Sequence, residues 1–464
     1  MSVNSESSRQ LEFMEKVREH NKGRALKYCS VVFGCQMNEK DSEKLSGMLE
    51  KMGYERTESE AEADLIIYNT CTVRENADKR LYGRLGVAKQ YKKDRPGLII
   101  CLCGCMMQEE HVVEKINTSY PYVDLIFGTH NIFKFSELLF TVLETGDRVI
   151  DIWEKTDEIV EDLPSRRKYP FKSGVNIMFG CDNFCSYCIV PYVRGRERSR
   201  KREDIINEIK SLASDGVVEV MLLGQNVNSY GKGLDEEISF ARLLDEAANI
   251  DGIGRVRFMT SHPKDLSEEL IDTIRDNPVI ARHIHLPLQS GSDRLLSLMN
   301  RHYTKDDYLR LADALRTKIP DISITTDIIT GFPTEEERDV EDTIDVIKKV
   351  RFDGAFTFEY SKRTGTKAAS MEGQLPKETV QRYFDEVLKK VQDISKEQAK
   401  RFEGRIMEVL VEGINEKDPS MLTGRISQNN VVHFKNCGIP VGSFAKIMLD
   451  ETMGFYYNGT VWGH

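Results

Sequence analysis

The chain has 464 residues, 40% of them hydrophobic and 30% charged, the profile of a globular protein of about two to four domains. Its formal net charge of −10 excludes indiscriminate polyanion binding, so any nucleic-acid contact needs a local basic patch. No apolar run approaches the roughly 18 residues of a membrane span, and the N-terminus lacks the apolar core of a signal peptide. A cytoplasmic protein is therefore expected, its ten Cys serving as thiols or metal ligands rather than disulfides.

Residues 1–25 read as a polar extension with the character of a loose helix. From 26 to 150 apolar runs at 28–33, 65–68, 98–102 and 123–127 alternate with helical stripes. One stripe is Leu45, Met48, Leu49 and Met52, at i, i+3, i+4 and i+7. A second is Val73, Ala77, Leu81, Leu85 and Ala88. Such alternation predicts an open parallel α/β sheet covered by helices. Cys35, Cys71 and Cys105 each sit just beyond a predicted strand. In an open parallel sheet the carboxyl ends of the strands face one crevice, so the three thiols can converge on an iron–sulfur cluster with one open iron. The alternative is three unrelated buried Cys, since free Cys is often buried. Cys29 and Cys101, inside apolar strands, are read as core, and so is Cys103.

Residues 151–173, irregular and carrying Pro164 and Pro170, read as a linker. Past it, the stretch 180–188 reads GCDNFCSYC and places Cys181, Cys185 and Cys188 at x3 and x2 spacing. Three thiolates so close can hold three corners of a cubane cluster. The fourth iron then stays open, as in catalytic metal sites. A zinc knuckle is the alternative, but it needs a fourth ligand, and the next His is His262. The segment 194–202, RGRERSRKR, follows with six basic residues against one acidic. Arg194, Arg196, Arg198 and Arg200 are candidate RNA contacts, because guanidinium forks suit phosphates. A solvated helix start is the alternative.

From 174 to 401 strands are expected at 175–179, 218–223, 255–259, 283–286, 322–329 and 355–359, with helices between them. Six βα units suggest a partial (βα)6 barrel, with chemistry at the carboxyl ends of its strands. The loop 180–188 follows the first of these strands. His262 is read as structural. The segment 377–402 is a long helix with Val380, Phe384, Val387, Leu388, Val391 and Ile394 on one side. After it, β runs at 406–411, 422–426, 431–434, 444–449 and 455–461 predict a small five-stranded barrel over 402–464. That piece holds five Lys/Arg against seven Asp/Glu, too few clustered cations for strong phosphate binding by itself.

The loop CDNFCSYC, with Tyr187 before the third Cys, resembles the radical S-adenosylmethionine (SAM) superfamily signature. The resemblance implies a [4Fe-4S] cluster whose open iron binds SAM and cleaves it to a 5′-deoxyadenosyl radical. It implies Tyr187, Gln225, Gln289 and Asp327 as residues around the cofactor. GCQMN, NTCTVRENA and GCMMQE around Cys35, Cys71 and Cys105, with CIVPYVRGRERSR, LLGQNVNSYG, HLPLQSGSD, DIITGFPTE and YSKRTGTKAA, resemble the methylthiotransferase family from about residue 27 to the end. One small departure is Met107, where the family commonly has Ala. By this resemblance Cys35, Cys71 and Cys105 hold an auxiliary [4Fe-4S] cluster carrying the sulfur to be inserted. The C-terminal barrel resembles the TRAM domain, an RNA-binding module of OB-like shape.

The tract Gln225-Asn226-Val227-Asn228-Ser229-Tyr230 is most similar to the branch acting on isopentenylated tRNA. The implied activity is methylthiolation at carbon 2 of the isopentenylated adenosine 3′ of the anticodon. SAM would be both methyl donor and radical source. The implied partners are the tRNA anticodon stem-loop, a low-potential electron donor and a sulfur source. No membrane is expected, and the chain is expected to act as a monomer. Methylthiolation of threonylcarbamoyl-adenosine in tRNA is the alternative within the class. An iron–sulfur electron carrier or RNA-binding scaffold without catalysis is the alternative outside it.

Overall fold

The computed structural model describes residues 3–73 and 77–463. The chain forms two compact units: Met1–Lys168 with Phe179–Asp182 and Ile189–Arg200, and Tyr169–Met178 with Asn183–Cys188 and Lys201–His464.

The first unit contains α1 (Val3–His20), β1 (Leu26–Val32), α2 (Gln36–Lys51), β2 (Tyr54–Arg56), β3 (Leu65–Thr70), α3 (Ala77–Asp94), β4 (Ile99–Gly104), α4 (Glu110–Ser119), β5 (Leu125–Phe127), α5 (Phe135–Thr145) and β6 (Val149–Asp151). All six strands run parallel in the order β2-β1-β3-β4-β5-β6. Helices cover both faces, which is why β3 is buried along its whole length. One core packs Leu45, Met48, Leu49 and Phe135 against the sheet, and the other packs Leu81, Leu85, Ala88 and Ile116.

Three details differ from the sequence expectation. The polar extension is a helix, α1, that is packed rather than loose: its Met14 and Val17 are fully buried and its Gln10 accepts from Ser136 Oγ at 2.9 Å. Its apolar stripe is two residues wide and is hidden among charges. The edge strands β2 and β6 are three residues each, too short to show a period. Val73 is half exposed and precedes α3, so it does not belong to the stripe of Leu81, Leu85 and Ala88.

Next in the chain come β7 (Lys172–Asn176), β8 (Met178–Phe179), the cysteine loop, α6 (Val190–Val193) and β9 (Arg198–Ser199). The second unit continues with α7 (Arg202–Ser214), β10 (Glu219–Leu223), α8 (Phe240–Ala248), β11 (Arg255–Phe258), α9 (Glu268–Asp276), β12 (His283–His285), α10 (Asp293–Leu298), α11 (Lys305–Lys318), β13 (Ser323–Thr330), α12 (Glu337–Val350), β14 (Gly354–Glu359) and α13 (Lys377–Ala399). The parallel sheets β11-β10-β7 and β12-β13-β14 are linked by a parallel bridge from Val256 to Ile280. They form the expected partial barrel of six parallel strands, with one large core between strands and helices.

The last five strands, β15 (Ile406–Ile414), β16 (Met421–Ile426), β17 (Val431–Lys435), β18 (Phe444–Thr452) and β19 (Tyr456–Val461), close a barrel in the order β15-β16-β17-β19-β18. Phe434 and Tyr457 fill its core. Two buried arginines of β11 fasten it to the partial barrel. Arg255 donates to the carbonyl of Arg425 at 2.9 Å. Arg257 donates to the carbonyls of Ile426 and Ser427 and to Glu219. Buried charges persist only where such partners exist, so these contacts fix the angle of the small barrel. Among the described residues no helix is long and apolar enough to cross a membrane.

Candidate metal centres and cofactor pocket

In the first unit Cys35, Cys71 and Cys105 follow β1, β3 and β4, three neighbouring strands whose spacing is about 4.8 Å. Cys35 is the N-cap of α2, so its position is set by the start of that helix. A polar network locks the three turns together. Asn38 Nδ2 donates to Asn69 Oδ1 and to the carbonyl of Thr70, both at 2.9 Å, and Asn69 Nδ2 returns a bond to the carbonyl of Asn38. Thr70 Oγ1 donates to the carbonyl of Cys103 at 2.6 Å, and Thr72 Oγ1 donates to Glu109. Gly104 is irreplaceable in this arrangement. Its φ is +97° and an added Cβ would lie 2.4 Å from the Thr70 carbonyl oxygen, so only glycine turns the chain from β4 into the Cys105 segment.

The Cys35 thiol donates to Asn38 Oδ1 at 3.3 Å, and the Val73 amide donates to Cys71 Sγ at 3.4 Å. Burial pushes the Cys105 thiol up to about 11, and Arg194 opposes that push. Arg194 Nε donates to Cys105 Sγ at 3.2 Å and its Nη1 to Asp41 Oδ2 at 2.8 Å, with both ion-pair partners buried. Burial acts to discharge Arg194, but Cys105, Asp41 and Cys35 outweigh it and keep the guanidinium charged. Among the described residues Arg194 Nη2 finds no partner. A buried cation with an unspent donor beside three thiols fits an anionic cluster. Residues 74–76 of the motif after Cys71 lie outside the described residues. Cys29, Cys101 and Cys103 are packed within the apolar cores.

The loop 180–188 carries the other set. The Cys181 amide donates to the Gly195 carbonyl at 3.1 Å, and the Cys188 amide donates to the Cys185 carbonyl at 2.9 Å. In the second unit a brace at 299–303 holds this loop. Asn300 Nδ2 donates to the carbonyls of Asn183 and Phe184, and the Ser186 amide donates to the Met299 carbonyl at 3.0 Å. Arg301 donates to Cys185 Sγ at 3.4 Å, to the Pro287 carbonyl at 3.0 Å and to Tyr303 OH at 3.2 Å. Asn300 and His302 both have positive φ, a strained conformation for residues with a Cβ that the packed surroundings hold in place. Tyr187 packs with Leu295, Met299 and Phe332, and burial raises its phenol.

Among the described residues no three His, Cys, Asp or Glu side chains close around one point as the ligands of a single ion do. A cubane is wider, each Cys binding a different corner, and the thiol-only donor sets suit it.

The carboxyl ends of β10, β11 and β12 present polar atoms without hydrogen-bond partners among the described residues: Asn228 Oδ1 and Nδ2, Ser261 Oγ, His262 Nε2 and Gln289 Oε1. Gln289 is buried at φ +67°, and its amide donates to the Asp327 carbonyl at 2.8 Å. Asp327 lies 3.4 Å from His285 Nε2. Gln225 follows β10 directly. Such a rim of unspent donors and acceptors fits a polar, zwitterionic ligand such as SAM. His262 is pushed down to about 2 by burial and by Arg301. It is neutral, its Nδ1 accepts from the Lys264 amide, and it stands edge-on to Tyr303.

The basic run divides. Arg194 is committed to Cys105 and Asp41, and buried Arg200 makes a double hydrogen bond to Glu161 at 2.7 and 2.6 Å. Arg198, half-buried, donates to the Thr156 carbonyl. Arg196 is exposed and stands 3.3 Å from Asp182. The sequence reading missed Arg194 as a cysteine partner, Asp41, the Asn38–Asn69 pair and Arg301. The only available signal was an isolated polar residue in a motif, Asn38 three positions after Cys35 and Arg301 in the stretch MNRHY.

Residues 175–347 match the radical SAM superfamily, 27–128 an uncharacterized protein family, UPF0004, and 400–461 the TRAM domain. The chain is 58% identical over 437 residues to the tRNA-2-methylthio-N(6)-dimethylallyladenosine synthase of Lachnoclostridium phytofermentans, covering 94% of this chain and 96% of that protein. It is 51% identical over 454 residues to the protein of the same name from Thermoanaerobacter pseudethanolicus, covering 98% and 96%. The solved structure of the radical SAM methyltransferase TsrM from Kitasatospora setae, with cobalamin and a [4Fe-4S] cluster bound, matches with a TM-score of 0.54 at 16% identity over 74% of each chain. That is a likeness of fold.

Proposed function

The chain belongs to the tRNA-2-methylthio-N(6)-dimethylallyladenosine synthase family, and we propose that it works with two [4Fe-4S] clusters, one on each three-cysteine set. It is a radical SAM tRNA methylthiotransferase, and it places a methylthio group on carbon 2 of isopentenylated adenosine 3′ of the anticodon. An aromatic C–H at that carbon is neither acidic nor easily attacked, which leaves little for acid–base catalysis to act on. When bound, SAM and the iron–sulfur clusters supply the methyl group, the sulfur and the one-electron chemistry.

The chain's own residues hold and shape these groups. Cys181, Cys185 and Cys188 bind the cluster that serves SAM. Tyr187 backs their loop, and Gln225, Gln289 and Asp327 line the cofactor. Cys35, Cys71 and Cys105 bind the auxiliary cluster, held in register by Asn38 and Asn69. Of Arg194, Arg196, Arg198 and Arg200, Arg196 is the one exposed to meet phosphate, assisted by the TRAM domain. The protein works in the cytoplasm as a monomer, with an external low-potential electron donor and sulfur source.

The observation that supports the two-cluster reading is that three adjacent parallel strands are each followed by a Cys within three residues. It is tested by anaerobic iron and sulfide analysis with Mössbauer spectra, comparing wild type with Cys35→Ala/Cys71→Ala/Cys105→Ala. About eight irons in the wild type and about four in the variant are expected, one cubane per set. About four in both would remove the auxiliary cluster and with it the source of sulfur.

A further inference from the structure

Each cysteine set has one buried arginine that donates to a cysteine sulfur, and the two arginines differ in what offsets their charge. Arg194, on Cys105, is 2.8 Å from the buried carboxylate of Asp41. Arg301, on Cys185, has as its other partners the Pro287 carbonyl and the Tyr303 hydroxyl. Among the described residues no carboxylate pairs with it. The guanidinium beside the first set is thus cancelled to a dipole, whereas the one beside the second acts as a whole positive charge.

We propose that this difference sets the order in which the two clusters accept an electron. The uncompensated Arg301 favours reduction of the cluster on Cys181, Cys185 and Cys188, and Asp41 withholds the same help from the cluster on Cys35, Cys71 and Cys105. The inference rests on the reading that each set holds a cubane. The step is a one-electron reduction by the external low-potential donor. The donor loses one electron, the cluster gains one negative charge, and no bond forms or breaks. A positive charge close by in a medium of low dielectric constant stabilises that added charge strongly, and an ion pair does so far less. Net charge and hydrogen bonds to the sulfurs are among the protein's levers on cluster potential. Amide or guanidinium donors reach sulfur in both sets, at Cys71 and Cys105 in one and Cys185 in the other, and the carboxylate of Asp41 is what distinguishes the two arginines. The consequence is economy of electrons. SAM cleavage needs one at the loop cluster, and one held by the sulfur-carrying cluster is idle.

The test is an EPR-monitored redox titration of the anaerobic full-length protein, following iron and sulfide analysis. Signals are assigned with the Cys35→Ala/Cys71→Ala/Cys105→Ala variant. In wild type the loop cluster is reduced first. Asp41→Asn keeps the shape and removes the charge. It should raise the reduced-to-oxidised ratio of the auxiliary cluster about tenfold at fixed poise, equal to 59 mV for one electron, and leave the loop cluster unmoved. Arg301→Met should lower that ratio for the loop cluster by a similar factor, and Arg301→Lys should restore most of it. The wild-type order, once assigned, does not depend on whether the Asp41 and Arg301 variants fold, and its reversal overturns the inference. A full iron count with unshifted potentials in Asp41→Asn also overturns it, and it alone. A wild-type count of about four irons removes the two-cluster reading and this inference with it.

Discussion

Cys35, Cys71 and Cys105 stand 36 and 34 residues apart, whereas Cys181, Cys185 and Cys188 occupy eight consecutive positions. The first set exists only once β1, β3 and β4 are paired and the Asn38–Asn69 network has joined their ends. The second is brought close by covalent connection, and the fold has only to brace the loop at 299–303. Closing long loops costs chain entropy before any ligand bond returns it, so the metal binding proposed for the first set is tied to folding of the whole sheet. The lesson is that two chemically alike donor sets differ in what can damage them: displaced backbone for the strand-end site, lost side chains for the loop site.

The sharpest way to break the comparison is Cys185→Ala. It should abolish deoxyadenosine formation from SAM while the strand-end site keeps its about four irons, read by product chromatography and iron analysis. Normal cleavage would mean that the loop is not the radical centre. Gly104→Ala attacks the other side through the backbone, because its Cβ would meet the Thr70 carbonyl oxygen. It should remove the strand-end iron and cost more than about 2 kcal/mol of stability, with the loop cluster's EPR signal intact. Retention of all the iron would show that the strand-end site tolerates displacement.

Glu335 supplies a pH test confined to the second unit. It lies beyond β13 and accepts from the Gly331 amide. Burial pushes its carboxyl from 4.5 up to about 8. The unfolded chain releases this proton near 4.5 and the folded chain near 8, so the stabilisation is complete below the lower value. It falls as pH rises between the two and is gone above about 8. Glu335→Gln should therefore flatten the decline in melting temperature over that range. An unchanged slope would show that Glu335 is ionised in the folded protein. The smallest effect is expected from Arg196→Ser. Removing one phosphate-facing cation should weaken tRNA binding several-fold and reduce the salt slope by about one. Unchanged binding would place the RNA surface elsewhere.

The loop cysteines were legible because a spacing of three and two is itself a geometric statement. The strand-end cysteines were legible at one remove, from the alternation of apolar runs with Leu45, Met48 and Leu49 or Leu81, Leu85 and Ala88, which dictates a parallel sheet and so a common edge. The docking of the helix α1 was missed because its fully buried apolar residues, Met14 and Val17, give little periodic support. The roles of Arg194 and Arg200 were misjudged because charge on paper carries no burial. A run of six cations in nine residues reads as one patch, yet Arg194 and Arg200 turn inward to Asp41 and Glu161.

By itself the sequence determined the layered architecture, the small closed barrel and the placing of Cys35, Cys71 and Cys105 just past neighbouring strands, since periodicity and chain-local spacing survive without any knowledge of neighbours. Tertiary structure decided which charges are offset. Asp41 meets Arg194 across 153 positions of chain, and Arg301 reaches Cys185 across 116. Such pairings depend on how elements pack, and on the low dielectric that packing creates, and neither is written in local spacing.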